Sequence, residues 1–361
     1  VKVVQVCPRY YPDIGGVETH VKEISERLVK RGFDVEVICT DPSGRLKRHE
    51  ILNGVLITRL GSYAPRDAYY FAPHIYFYIR EHVFDLLHVH SYHALPALFA
   101  VLAKNSRKLV FTPHYHRRGH TIIRNLLHKL YRIIGSRIFE KADKVICVSE
   151  YERRMVLSDF KIHAEKIKKI PNGLDLKEFS NIKSEKKRND GMKILLYAGR
   201  LEQYKGIHHI IKALPHLKEY KLGIIGKGPY ENNLQELAQE LSVIKRINWY
   251  KNITRGEMLN RYASADLFIM LSKYEAYGIT VAEALAAGTP CIVAMGSALE
   301  EFVDGNQCIG IDKPITCDKL INAIIKVKES DIKNYMKIKD LPILDWDDVT
   351  DKLIEVYNSI Q

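Results

Sequence analysis

The sequence predicts an α/β protein made of two doubly wound, Rossmann-like domains in tandem. Three observations carry this. The 361 residues exceed one ordinary domain and suit two of roughly 170 each. Uninterrupted Val/Ile/Leu runs alternate with amphipathic stretches, the pattern of parallel strands covered on both faces. The alternation then stops at Ile170-Pro171-Asn172-Gly173 and starts afresh at Lys193.

The elements follow in order. Lys2 to Cys7 reads as a strand. Gly16 to Arg31 reads as a helix with Val17, Val21, Ile24 and Leu28 on one face, closed by Gly32. Strands are predicted at Asp34 to Thr40, Leu86 to His90, Lys108 to Thr112 and Lys144 to Ser149, with room for helices between them. Ser180 to Gly191 is polar and reads as exposed. Lys193 to Ala198, Lys221 to Ile225, Ala265 to Leu271 and Pro290 to Ala294 are the strands of the second domain. Asp345 to Ile360 is a final helix that could pack on either domain. In doubly wound sheets ligands bind beyond the C-terminal strand ends, so two facing sheets are expected to make a cleft.

Composition excludes several classes. Apolar residues make up 46% and charged residues 27%, which rules out disordered and fibrous chains. The longest apolar stretch, Leu86 to Ala103, is broken by three histidines and a proline, which argues against a membrane-spanning helix. The short strand at the start reads as part of the fold, not as a signal peptide. Six scattered cysteines without a CxxC pair read as buried thiols of a reducing cytoplasm. Residues 1–170 hold 29 Lys+Arg against 17 Asp+Glu, whereas 171–361 hold 26 of each. The whole surplus of +12 lies in the first half, which should meet something anionic.

Three segments carry chemistry. Gly15-Gly16 sits at the turn from the first strand into the first helix, where backbone amides and the helix N-terminus favour an anion. A plain tight turn would look the same, and the GxGxxG dinucleotide fingerprint is missing. Gly199-Arg200 and Lys205-Gly206 place two cations after a strand. They suit a diphosphate, or are solvated surface charges. In Ser272 to Pro290, Glu275 lies in a loop, Gly278 frees the backbone and a helix begins near Ile279. Glu283 then falls among Val281, Ala282, Ala284, Leu285 and Ala287. A buried acid there would be costly without a task, and accepting hydrogen bonds from vicinal hydroxyls is such a task.

Together these segments resemble the retaining glycosyltransferases of family 4, with the GT-B fold. The resemblance rests on Glu275 and Glu283 with seven residues between, the following Gly288-Thr289-Pro290, Gly199-Arg200 with Lys205-Gly206, and Gly15-Gly16-Val17-Glu18. Pro171 to Asp175 matches the family's inter-domain junction, and Gly226-Lys227-Gly228-Pro229 its glycine turn. Asp345-Trp346 and the last helix look like the segment that crosses back to the first domain. The implied division is 1–170 with helix 345–361, the acceptor side, and 171–344, the nucleotide-sugar side.

The resemblance implies roles. Arg200 and Lys205 would bind the donor diphosphate, with Gly15, Gly16 and Gly228 beside it. Glu283 would hold the ribose. Glu275 would contact the transferred sugar, helped by backbone at Tyr277, Gly278, Ile279 and Thr280. His114 would sit beside the anomeric carbon, or simply end its strand bonded to backbone. His88 and His90 read as structural, with no third metal ligand visible. The implied reaction moves a hexose from a UDP- or GDP-linked α-sugar with retention. It needs no cofactor and, lacking a DxD-type motif, no metal.

The run from Tyr115 to Phe139 contains no acid. Ile122, Ile123, Leu126, Leu127, Leu130, Ile133 and Ile134 recur at helical spacing, and Arg117, Arg118, Arg124, Lys129 and Arg132 punctuate them. A basic amphipathic helix fits an anionic membrane surface. The aromatic residues Tyr63, Tyr69, Tyr70, Phe71, Tyr76, Phe77, Tyr78 and Phe84 upstream fit its interface. A core-facing helix beside an ordinary cleft would show the same spacing. The expected partners are the donor and a lipid-linked or glycan acceptor, with the inner face of the plasma membrane as a candidate surface and no nucleic acid. A non-catalytic GT-B protein with a basic membrane- or nucleic-acid-binding half is the alternative. A phosphorylase or an epimerase could also share the architecture.

Overall fold

The computed structural model describes residues 1–65, 69–104, 107–117, 122–180, 182, 191–329 and 343–360. The chain divides into two compact units, Val1–Gly173 with Leu344–Gln361, and Leu174–Ile343.

The first unit is built on an eight-stranded sheet. Its strands are β1 (Lys2–Val6), β2 (Asp34–Asp41), β3 (His49–Leu52), β4 (Val55–Gly61), β5 (Leu86–His90), β6 (Lys108–Thr112), β7 (Lys144–Cys147) and β8 (Ile167–Lys169). The order is β3-β4-β2-β1-β5-β6-β7-β8, and every pairing is parallel except β3 with β4. Alternate residues of β1 serve opposite faces, as the period of two requires. Val4 and Val6 join a core with Leu87, Phe111 and Phe139. Val3 joins the other core with Val21, Ile24 and Leu28 of the helix Gly16–Lys30. That helix ends at Gly32, whose φ of +84° suits only the left-handed region.

The hairpin β3–β4 is absent from the sequence expectation. Asn53 and Gly54 form its turn, both with positive φ (51° and 82°). β3 alternates exposed and half-buried residues at the sheet edge, so it shows no apolar run. The expected strand at Lys144 to Ser149 ends at Cys147, because Ser149 caps the next helix by accepting from the amide of Glu152.

The last helix, Trp346–Asn358, belongs to the first unit. Asp345 caps it, accepting from the amide of Asp347 at 2.9 Å. Trp346, Val349, Leu353, Val356 and Tyr357 are buried in the core with the first helix. Arg31 ties the two helices together through Asp351 (2.7 Å) and Asp347 (3.1 Å). Gly173 must be glycine, since a Cβ there would lie 2.8 Å from the backbone nitrogen of Trp346.

The second unit holds a six-stranded, fully parallel sheet. Its order is Ile247–Tyr250, Tyr220–Ile225, Lys193–Ala198, Leu267–Met270, Cys291–Ala294 and Cys308–Ile311. The two outer strands are additions to the sequence expectation. The one at Ile247–Tyr250 buries only its first residue, so no apolar run marks it. The polar segment 183–190 lies outside the described residues. Five of the six cysteines are buried free thiols and Cys317 is half-buried.

Replacing Leu353, 3% exposed, by alanine should cost about 2–5 kcal/mol, as for other buried leucines. Denaturant unfolding measures it; a loss under about 0.5 kcal/mol, the scale of a surface change, would show that the last helix is only loosely attached.

Candidate active site

In the second unit the chemistry gathers at the C-terminal strand ends. The strand Lys193–Ala198 runs into Gly199 (φ +150°), then Arg200 and Leu201. This loop lies against the loop after Tyr220–Ile225. The Gly199 amide donates to Ile225 (3.0 Å) and that of Leu201 to Lys227 (3.1 Å). The contact is too close for side chains. A Cβ on Gly226 would stand 2.0 Å from the Gly199 carbonyl oxygen, and one on Gly228 would stand 2.3 Å from that of Leu201. Gly228 therefore shapes the loop through packing. Arg200 projects outward with its side chain half exposed, its only ion pair among the described residues a 3.3 Å contact with Glu202.

Lys205 and Glu275 are brought together. Lys205 Nζ donates to Glu275 Oε1 at 2.5 Å, and both side chains are mostly buried. Burial disfavours the charged lysine, but Glu275 outweighs it, so Lys205 keeps its proton above the ordinary range. The Lys273 amide donates to the Tyr204 carbonyl (2.9 Å) and the Ala298 amide to that of Glu275 (3.2 Å), fixing the loop. Gly278 (φ +114°) then opens the helix Ile279–Ala286. Ile279 and Thr280 contribute its first amides, which lie where an anion is favoured. Tyr277 is buried, with its ring against Phe302.

Glu283 is 5% exposed on that helix. Its sequence neighbours offer it no partner, but the structure supplies two. Arg255 donates through Nη1 to Oε1, and the Tyr262 hydroxyl donates to Oε2 at 2.9 Å. Arg255 also holds Glu178, through Nε at 3.0 Å and Nη2 at 2.8 Å. Burial pushes the Glu283 carboxyl up, and Arg255 with Tyr262 opposes it only in part. No sequence motif points to these partners. Thr254-x-x-Glu257 marks a capping box and hence a helix start, but not which acid Arg255 meets.

In the first unit, Gly15 precedes the first helix and Gly16 begins it. A Cβ on Gly15 would lie 2.3 Å from Glu18 Oε2, whereas one on Gly16 would meet nothing within 4 Å. Only the movable carboxylate end of Glu18 lies near Gly15, and nothing lies near Gly16. Glu18 is held by Arg9 at 2.9 Å. His114 follows β6 with φ +46°, and its Nε2 is buried without a partner among the described residues.

His114 has company that the sequence does not disclose. Its ring lies 5.2 Å from that of His20 and 6.0 Å from that of His90. One nitrogen from each of the three lies within 4.8 Å of the others, so His90 does have further imidazoles beside it. Nitrogen ligands of this kind suit a divalent cation, although no carboxylate joins the group to offset its charge. His20 pairs with Asn172 (2.8 Å) and His90 with Gln5 (2.8 Å). His88 engages both ring nitrogens, with Tyr357 (2.7 Å) and Thr112 (2.8 Å). Burial holds all four imidazoles neutral, with His20 pulled down to about 4. His20, His90 and His114 come from three different segments, which is why spacing alone does not group them.

The basic segment is partly used internally. The helix Ile122–Lys141 is present. Its later residues Ile138 and Phe139 are buried, and Gly135 packs on the Tyr92 ring. Arg117, one of the basic residues read as facing an anionic surface, has an internal partner. It grips Asp159 with two donors at 2.6 and 2.8 Å. Arg132 is exposed. Arg118 and the side chains of Arg124 and Lys129 lie outside the described residues. Of the upstream aromatics, Tyr70 and Phe84 are buried, whereas Tyr63, Phe71 and Phe77 are exposed. Among the described residues no helix is long and apolar enough to cross a membrane.

Comparison with known proteins shows the family and the fold. Residues 14–178 match the model of Glycosyltransferase Family 4, and residues 178–340 that of Glycosyl transferases group 1. The α-monoglucosyldiacylglycerol synthase of Streptococcus pneumoniae is 30% identical over 305 residues, covering 78% of this chain and 68% of that protein. The chain belongs to glycosyltransferase family 4. This glycosyltransferase has the GT-B fold. Sucrose-phosphate synthase from Thermosynechococcus elongatus shares it with a TM-score of 0.83 at 19% identity, covering 99% of this chain and 98% of that one. HepE of Anabaena, solved in complex with UDP-glucose, shares it with a TM-score of 0.76 at 18% identity, covering 99% of each.

The Lys205–Glu275 pair of the glycosyltransferase should behave as a coupled unit. In a double-mutant cycle, Lys205→Met and Glu275→Gln should each destabilise the protein. The double variant should lose less than their sum, by about 0.5–3 kcal/mol. Additive losses in denaturant unfolding would mean the pair is not coupled.

Proposed function

We propose that this glycosyltransferase moves a hexose from a nucleotide-α-sugar to a lipid-linked or polysaccharide-type acceptor, with retention and without a metal. The observation that carries the donor half is that Arg200 and the paired Lys205 and Glu275 follow the strand ends of one sheet, with the buried carboxylate of Glu283 on the helix that starts just after Glu275. In this reading Arg200 and Lys205 bind the diphosphate, joined by the amides that open the helix at Ile279 and by Gly16. Glu283 accepts from the ribose hydroxyls. Glu275 and the backbone of Tyr277 to Thr280 contact the sugar, and His114 lies beside the reacting carbon.

The step is a front-side displacement. An acceptor hydroxyl oxygen forms the new bond to the anomeric carbon. The bond from that carbon to the β-phosphate oxygen breaks, and the electron pair stays on the phosphate oxygen. That oxygen takes the proton from the incoming hydroxyl. The carbon passes through an oxocarbenium-like state, and Arg200 and Lys205 offset the charge gathering on the leaving diphosphate. Fixed cations thus supply what a bound divalent ion supplies elsewhere.

The acceptor half draws support from two observations. The basic surplus lies in residues 1–170. The streptococcal relative is named for building a glycosylated diacylglycerol. Both favour an acceptor carried in an anionic lipid surface, with the protein peripheral on the inner face of the plasma membrane. UDP is the first donor base to test, since a fold neighbour holds UDP-glucose.

Calorimetric titration with UDP-, GDP- and ADP-sugars in EDTA tests the donor half. One nucleotide class should bind wild type, and Glu283→Ala should lose it. If none binds while anionic vesicles or nucleic acid do, the transferase assignment of the site fails. Arg200→Ala should lower kcat on the order of 10²-fold or more, the scale of losing a preorganised charge-stabilising donor. Because Arg200 is half exposed, the melting temperature should hardly move. An unchanged kcat would remove Arg200 from the diphosphate site.

A further inference from the structure

Glu283 is surrounded by apolar neighbours, yet both of its oxygens are engaged. Arg255 occupies Oε1 and the Tyr262 hydroxyl occupies Oε2. A carboxylate offers about four acceptor sites, two on each oxygen. One site therefore remains on each oxygen, which is what a pair of vicinal hydroxyls requires. Arg255 is itself held at both ends. Its Nε and Nη2 donate to Glu178 Oε2 at 3.0 and 2.8 Å, and its guanidinium lies 5.9 Å from the centre of the Phe179 ring. It occupies the first position of the helix Arg255–Ser264, behind the Thr254–Glu257 capping box. A cation anchored in this way has little freedom to follow a ligand.

We propose that Arg255 is a positioning residue for the donor: it keeps Glu283 ionised and oriented so that its two remaining acceptor sites meet the ribose hydroxyls. This rests on the reading of Glu283 as the ribose acceptor and adds a residue to it. Arg255 does not touch the sugar or the reacting carbon.

The sign of the effect follows from the groups that face Glu283. Burial favours its neutral form, and Glu178 acts in the same direction. Arg255 and Tyr262 favour the carboxylate. The buried thiol of Cys291 is pushed up by burial and adds no charge. Removing Arg255 takes away the cation that opposes burial and Glu178, so Glu283 takes up its proton at a higher pH. The protonated acid loses acceptor capacity, and donor affinity falls as pH falls.

The test titrates UDP, GDP and ADP onto the full chain between pH 5.5 and 9, for wild type, Arg255→Met and Arg255→Lys. The nucleotide that binds wild type best should bind Arg255→Met about tenfold or more weakly at pH 6 and recover toward pH 9, about tenfold per pH unit below the shifted pKa. Arg255→Lys, which restores a charge but not the fork, should return the profile toward wild type while remaining a few-fold weaker. Should Arg255→Met fail to fold, Arg255→Gln keeps a donor without the charge and carries the same expectation.

An Arg255→Met curve parallel to wild type at every pH overturns the proposal, whether affinity is unchanged or uniformly reduced. Glu283→Gln separates the two readings. If it binds nucleotide as wild type does, the ribose role is wrong and this proposal falls with it. If it loses binding while the Arg255 variants keep the wild-type profile, the positioning role alone is wrong. Failure of all three nucleotides to bind wild type overturns both.

Discussion

Parallel strands covered on both faces leave their side chains no access to water, so polar chemistry is forced to the strand ends. The second unit obeys this constraint. In the second unit the strands carry Leu195, Leu196, Ile224, Phe268 and Ile292, all buried. Arg200, Lys205 and Glu275 appear only where these strands stop. Glycines at the same ends let neighbouring loops touch backbone to backbone. The loop positions are consequently fixed by the sheet, and the charged groups are held on a rigid rim before any ligand arrives.

The charges on this rim are matched locally. Lys205 is answered by Glu275, and Glu283 by Arg255, which Glu178 answers in turn. Arg200 differs, with half of its side chain exposed and one long contact. Preformed pairs reduce the cost of keeping ions out of water and fix their geometry, while the looser arginine retains field strength for an incoming anion. The first unit follows a different rule. Its imidazoles are neutral and satisfied mostly by amides and hydroxyls, from Asn172, Gln5, Thr112 and Tyr357.

The central strands were legible because an unbroken apolar run of five or so residues, bounded by breakers, fits little besides a strand buried on both faces. Edge strands were not. The strands His49–Leu52 and Ile247–Tyr250 are half polar, and only the Asn53-Gly54 turn marks the hairpin that the former opens. At the candidate site, residues grouped along the chain were readable, such as Gly199 to Gly206 and Glu275 to Glu283. Partners drawn from distant segments were not. Arg255 lies 28 positions from Glu283, and His20 is 152 from Asn172. Arg255 and Tyr262, the partners of Glu283, were hidden for this reason. The Arg117–Asp159 pair, 42 positions apart, was hidden in the same way.

The return of the last helix to the first unit has a consequence for biosynthesis. A ribosome releases the chain from its N-terminus, so the β1–β8 sheet emerges well before residues 344–360. Until they arrive, the faces of Val21, Ile24 and Leu28 that Val349, Leu353 and Val356 share stay open to solvent, and His88 lacks the Tyr357 hydroxyl. The second unit, contiguous in sequence, has all its strands by Ile311 and can mature first. The unit made first is therefore the one completed last.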